Sequence, residues 1–130
     1  ASGNEIIAEA DKYVGNPYVW GGNSLTHGCD CSHFIRLILI ECGKIPPSAG
    51  YYTTSDMISS RLKEWGAEDI GTDPNLAQAG DIIVYRPGNI HHVAFYDGNG
   101  MIVEAKGKDY GITHDRTLEH EGIAAIFRVK

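Results

Sequence analysis

The chain has no apolar run approaching the roughly 20 residues that a membrane-spanning helix requires, so no span is expected. It has no cluster of Lys and Arg, and its 11 basic residues are outnumbered by 17 acidic ones, for a formal net charge of -6. That balance disfavours a nucleic-acid or anionic-membrane partner, since both are held by concentrated positive charge. It has few cysteines: Cys29, Cys31 and Cys42. An odd count leaves at least one thiol unpaired unless a second chain contributes, and Cys29 and Cys31 flank a single residue, a poor separation for a bond with each other. A free thiol is expected in place of a disulfide scaffold. The start, Ala1-Ser2-Gly3-Asn4, lacks an initiator Met and signal-peptide character. The chain therefore reads as a processed or excised domain whose targeting information lies elsewhere. No internal repeat, linker or low-complexity segment breaks it.

What is present suits one soluble domain, residues 1–130, with one core. Apolar residues make up 42% and charged residues 22%, ordinary values for a globular protein. Ile6, Ile7, Ala10 and Val14 recur at helical spacing, which predicts a first helix over residues 4–14, stopped by Gly15-Asn16-Pro17. Residues 16–30, rich in Gly, Asn and aromatics, read as an ordered loop that packs Tyr18 and Trp20 inward. From Cys31 to Cys42 the chain is apolar nearly all round, the pattern of a buried central helix. Asp30 is placed to cap its start and Gly43 to end it. A third helix is expected from Thr53 to Trp65, closed by Gly66.

After residue 80 the period shortens. Asp81–Arg86, His91–Asp97, Met101–Lys106 and Ile123–Val129 are short runs rich in Val, Ile, Phe and Tyr. Turn signals Pro87-Gly88-Asn89 and Asp97-Gly98-Asn99-Gly100 separate them. Helices first and antiparallel strands second predict an α+β fold.

Cys31 falls in the first turn of the central helix. There unpaired backbone N–H groups and the helix dipole are expected to favour the thiolate, which is the nucleophilic form. The same N–H groups suit a developing oxyanion. A small buried hydrophobe is the commoner fate of a free cysteine, and it is the reading that Cys29 and Cys42 receive. The base must come from His27, His33, His91, His92, His114 or His120. His27 and His120 lie in polar, turn-like surroundings and read as solvated. In the strand from His91 to Asp97, His92 shares one face with Ala94 and Tyr96, and His91 shares the other with Val93 and Phe95. Periodicity leaves the choice between them open. Glu104 stands alone among apolar residues on the following strand, and the intervening turn brings that strand beside the histidines.

Four segments in order carry a resemblance: Tyr18-Val19-Trp20-Gly21-Gly22, Asp30-Cys31-Ser32, Ala79-Gly80-Asp81-Ile82-Ile83, and His92-Val93-Ala94-Phe95-Tyr96-Asp97-Gly98-Asn99-Gly100. Together they are similar to the NlpC-type family of papain-like cysteine peptidases, over about Glu5 to Val129. The resemblance implies a papain-like α+β fold, with N-terminal helices, the nucleophile heading the buried central helix, and a C-terminal antiparallel β-sheet. It implies cleavage of peptidoglycan stem peptides, usually between D-glutamate, through its γ-carboxyl, and a diamino acid. By the same resemblance Cys31 is the nucleophile, His92 the base and Glu104, twelve positions on, the third residue. Tyr18 matches the tyrosine that helps polarise the carbonyl. Asp30 and Ser32 fall where relatives touch substrate or brace the helix start, and Trp20 belongs to the same substrate-side group. Two positions depart from the usual pattern. His33 replaces the Gly that normally follows Asp-Cys-Ser, and would either enter the cleft or turn outward. Glu104 stands where His is commoner, and a carboxylate can orient an imidazole equally well.

The resemblance implies no metal or organic cofactor. Three rivals are a zinc site drawn from Cys29, Cys31, His91, His92, Glu104 and His114, an acyltransferase using the same thioester chemistry, and a catalytically inactive wall-binding module. The implied setting is extracytoplasmic: secreted, wall-associated, or delivered by phage, conjugation or toxin machinery. The implied partners are peptidoglycan stem peptides, together with a separate wall-binding domain or delivery apparatus, since an acidic domain has no electrostatic pull toward an anionic wall.

Overall fold

A computed structural model describes residues 2–20, 22–48, 58–85, 92–107, 109–119 and 122–129, leaving out the side chains of Ser2, Asn23 and Ser59. Helix α1 (Ser2–Asp11) leads to a two-residue ribbon, β1 (Asn23–Ser24) with β2 (Gly28–Cys29), and then to α2 (Cys31–Glu41) and α3 (Ile58–Glu64). Six strands follow: β3 (Glu68–Gly71), β4 (Ile82–Tyr85), β5 (His92–Tyr96), β6 (Met101–Gly107), β7 (Gly111–Thr117) and β8 (Ile123–Arg128). They form one antiparallel sheet in the order β3-β8-β4-β5-β6-β7. The expected α+β arrangement is found.

Helix α2 is the axis of the fold because its sequence offers almost no polar stripe. Residues from Cys31 to Arg36, with Ile38 and Leu39, are all buried. Asp30 caps it as expected: its side chain accepts from the backbone N–H of His33 at 2.9 Å. Cys42 is the C-cap, and Gly43, at φ 72°, ends the helix in the left-handed region. Phe34 meets Phe95 of β5 edge to face, with ring centroids 5.9 Å apart. Burial of such a pair drives helix and sheet together.

Strand residues alternate between two buried layers. Ile82, Val84, Val93, Phe95, Val103, Ala105 and Phe127 join the core that contains α2. Ile83, Tyr85, Ala94, Ile102 and Ile126 form a second cluster closed by Leu118. That explains why β4 to β6 read as nearly continuous apolar runs instead of strict alternation.

Several expectations need correcting. Helix α1 begins at Ser2 and ends at Asp11, so Val14 lies beyond it and is exposed. Ile6 and Ala10, one turn apart, supply the buried stripe. Trp20 does not pack inward; it is 75% exposed, while Tyr18 rests against the core. The loop holds the β1–β2 ribbon, whose two-residue strands are too short to show a period. Strands β3 and β7 were not expected. Both are edge strands of polar sequence, Glu-Asp-Ile-Gly and Gly-Ile-Thr-His-Asp-Arg-Thr, and backbone pairing, not apolar burial, defines them. Helix α3 runs Ile58–Glu64; the earlier part of the expected helix, the turn Pro87-Gly88-Asn89, His91 and His120 lie outside the described residues. Among the described residues no helix is long and apolar enough to cross a membrane.

Candidate active site

The cap of α2 builds the first half of the site. Asp30 Oδ1 accepts from Ser32 Oγ at 3.1 Å, from the His33 backbone N–H at 2.9 Å and from His33 Nδ1 at 2.7 Å. All three residues are buried. His33 thus turns neither outward nor freely into a cleft; its ring folds back onto Asp30. Burial alone would raise the Asp30 carboxyl, but the hydrogen bonds from His33 outweigh it and hold the group below its ordinary value. Asp30 is therefore ionised and accepts only, so His33 Nδ1 carries the donated proton.

Cys31 follows directly, with 6% of its surface exposed. Burial, joined by the charge of Asp30, pushes its thiol up to about 12, while the backbone N–H groups of Val93, Ser32 and Cys31 itself favour the anion. The helix start alone was expected to favour the thiolate. The structure corrects this: desolvation in the core and an adjacent carboxylate outweigh the helix N–H groups. The Val93 N–H that favours the anion belongs to β5.

The loop before α2 carries Tyr18 to the same place. Its backbone bridges that of Cys29, and Val19 N–H donates to the Cys29 carbonyl at 3.2 Å. Gly28, at φ 135°, lets this happen, because a Cβ there would fall 2.2 Å from Val19 Cγ2. Burial first, then the charges of Cys31 and Asp30, raise the Tyr18 hydroxyl well above its usual range, so it remains an O–H donor. Cys29 is fully buried and unpaired, as a small hydrophobe would be; burial raises its thiol to about 12.

The second half of the site crosses four adjacent strands. Tyr85 of β4 is the register partner of His92 of β5, and their rings stack with centroids 6.1 Å apart. The register of β5 with β6 pairs Phe95 with Val103; continued, it sets Glu104 opposite Ala94 and diagonal to His92, on the same face. His92 Nε2 lies 2.6 Å from Glu104 Oε1. Arg116 of β7 completes the row. Its Nε donates to Glu104 Oε2 at 2.9 Å, and its Nη2 donates to Glu104 Oε1. The Glu104 side chain is fully buried. Burial by itself would raise its carboxyl, but the hydrogen bonds from Arg116 and then from His92 bring it down to about 2. The carboxylate is thus enclosed and ionised.

Tyr85 and Arg116 carried no signal as site residues. Tyr85 looked like one more strand aromatic, and Arg116 sits in a strand whose composition concealed it. Two other described histidines, His27 and His114, have partners of their own. His27 bonds Ser24 and Thr26 in the exposed ribbon turn. His114 bridges Asp11 and Asp97 at 2.8 and 2.7 Å. Among the described residues no group of three or more His, Cys, Asp and Glu side chains converges as metal ligands would.

A buried cysteine heading a central helix packs against a strand whose first residue is a histidine held by a carboxylate, in a domain of the α+β class. The chain belongs to the NlpC/P60 family, whose model matches residues 15–125. It is 33% identical over 112 residues to a probable endopeptidase p60 of Listeria innocua, covering 85% of this chain and 21% of that protein. It is 28% identical over 104 residues to a gamma-DL-glutamyl hydrolase of Bacillus subtilis, covering 77% of this chain and 22% of that one. Both relatives are several times longer. Among solved structures it resembles the NlpC/p60 domain of the peptidoglycan hydrolase SagA, with a TM-score of 0.71 and 29% identity over 98% of this chain and 97% of that one.

Proposed function

We propose that residues 1–130 form one catalytic domain that hydrolyses stem-peptide amide bonds of bacterial peptidoglycan, between D-glutamate, at its γ-carboxyl, and a diamino acid. The observation that carries this reading is the 2.6 Å contact between His92 Nε2 and Glu104 Oε1, on a strand whose next residue, Val93, has its backbone N–H acting on the Cys31 thiol. With Nε2 committed to the carboxylate, Nδ1 is the ring nitrogen that exchanges a proton with the sulfur.

The chemistry is acyl transfer to water. Cys31 rests as a thiol, and His92 takes its proton as the sulfur attacks the carbonyl carbon. The Cys31 backbone N–H and the Tyr18 hydroxyl hold the oxyanion. His92 then gives its proton to the leaving amine, accepts one from water, and the thioester is hydrolysed. Glu104 orients His92 throughout and stabilises its charged form. No step calls for a metal or organic cofactor. Asp30, Ser32 and His33 keep the head of α2 rigid, and the exposed ring of Trp20 offers an apolar face to substrate beside Tyr18. The setting is extracytoplasmic, at the wall. A separate wall-binding domain or a delivery apparatus supplies the attraction that a net charge of -6 does not.

Defined muropeptides incubated with the parent and with Cys31→Ala, with products read by mass spectrometry, test the proposal. The parent should release the diamino-acid fragment and the variant should not. Equal digestion by both overturns the assignment of Cys31; amine adducts in place of hydrolysis reveal a transferase; an inert parent reveals a binding module.

A further inference from the structure

We propose that Arg116 is a positioning residue of this site, its guanidinium gripping both oxygens of Glu104 and so fixing how Glu104 meets His92. This deepens the reading of the site given above and rests on it. Three observations lead there.

The first is geometric. Arg116 pairs with Ile102 in the β6–β7 register, and the register shifts between Ile102 and Glu104. Such an irregularity re-aims side chains, and here Arg116 reaches both carboxylate oxygens through Nε and Nη2. A planar guanidinium matched to a planar carboxylate fixes orientation as well as distance, which a lone ammonium cannot do.

The second concerns protons. Glu104 Oε1 receives both His92 Nε2 and Arg116 Nη2. Arginine has no acceptor, so an oxygen that takes its N–H must be accepting. His92 Nε2 therefore carries hydrogen. The 3.4 Å approach of Arg116 Nη2 to His92 Nε2 sets donor against donor and is a contact, not a bond. The consequence reaches the nucleophile: a neutral His92 keeps its lone pair on Nδ1.

The third is enclosure. Glu104 is wholly buried, and a carboxyl without a cation there would favour its neutral form. A neutral carboxyl both donates and accepts, so it would no longer select one imidazole tautomer. Tyr85 stacks on the ring of His92; its own hydroxyl is anchored to the Leu118 carbonyl at 2.6 Å. The imidazole is thus packed by Tyr85 and held end-on by the Glu104–Arg116 pair.

The test uses Arg116→Met and Arg116→Lys in the whole chain. Arg116→Met should lower kcat on a muropeptide by about 10- to 100-fold, by analogy with the outer partners of metal-bound histidines, with KM within about twofold. Arg116→Lys should fall between it and the parent. In a Cys31→Ala background at pH 9, well above the ordinary histidine range, ¹⁵N spectra should show the parent His92 as the Nε2–H form and Arg116→Met as a mixture of tautomers. Should Arg116→Met not fold, Arg116→Lys carries both readouts. A variant with parental kcat and an unchanged ¹⁵N pattern overturns the proposal. So does a rise in KM with kcat intact, which would make Arg116 a contact for a substrate carboxylate. An inactive parent would defeat the hydrolase reading alone, because the ¹⁵N spectra still decide the role of Arg116.

Discussion

His92 and Glu104, twelve residues apart in sequence, lie 2.6 Å apart on neighbouring strands, with the carboxylate fully buried and the imidazole partly exposed. One end of the ring is thus committed to the carboxylate. Replacing Glu104 with Gln keeps the volume but removes the charge that stabilises an imidazolium. We expect kcat to fall by about 10² to 10⁴, by analogy with loss of the orienting carboxylate in triad enzymes. Muropeptide turnover at saturation measures it, and a loss below fivefold would remove Glu104 from the catalytic set.

The same carboxylate makes stability depend on acid. Its folded value of about 2 lies below the ordinary 4.5, so its contribution is complete above about pH 4.5 and is lost as pH falls toward 2. The difference amounts to about 3 kcal/mol at most. Denaturant titrations at pH 6 and pH 3 should show the parent losing more stability than Glu104→Gln over that interval. Parallel losses would contradict the ion-pair account.

His114 ties α1 to the β5–β6 turn through Asp11 and Asp97. Burial disfavours its charge, but the two carboxylates outweigh burial and raise its value above 6.5. The stabilisation is therefore fully present below about pH 6.5 and fades as pH rises through the raised folded value. At the acid end Asp97, itself depressed, must stay ionised. His114→Gln should cost about 1 kcal/mol near pH 5.5, allowing for the exposed Asp11, and clearly less at pH 9. Melting curves at the two pH values decide it; an equal cost at both would point to packing instead of charge.

Asp30 serves the helix but opposes the thiolate. Asn caps a helix about as well as Asp, so Asp30→Asn removes the charge while leaving the cap. The charge of Asp30 is second only to burial in raising the Cys31 thiol. The pH at which Cys31 alkylation by iodoacetamide is half-maximal should therefore move down in this variant. Peptide mapping keeps Cys29 and Cys42 out of the measurement. An unmoved or higher midpoint would show that Asp30 acts on the cap alone.

Helix α2 and the strands β4, β5, β6 and β8 were legible because each is a dense apolar run between turn residues, and such runs fold by burying themselves. The cap at Asp30 and the stop at Gly43 were legible for local reasons, one hydrogen bond and one backbone angle. Strand β7 was not, because its seven residues include four that are charged or hydroxyl-bearing and it exists only by pairing with β6. Trp20 was misplaced because an aromatic ring in a glycine-rich loop carries no period to say which way it faces.

By itself, then, the sequence determined the α+β class, the cysteine at the head of a buried helix and the order of the motifs, all properties of neighbours along the chain. Tertiary structure alone decided that Glu104 is enclosed, that His33 folds onto Asp30, that core burial raises the Cys31 thiol, and that Tyr85 and Arg116 flank the histidine and its carboxylate. Those facts depend on strand register and on desolvation, and both arise only when distant segments meet.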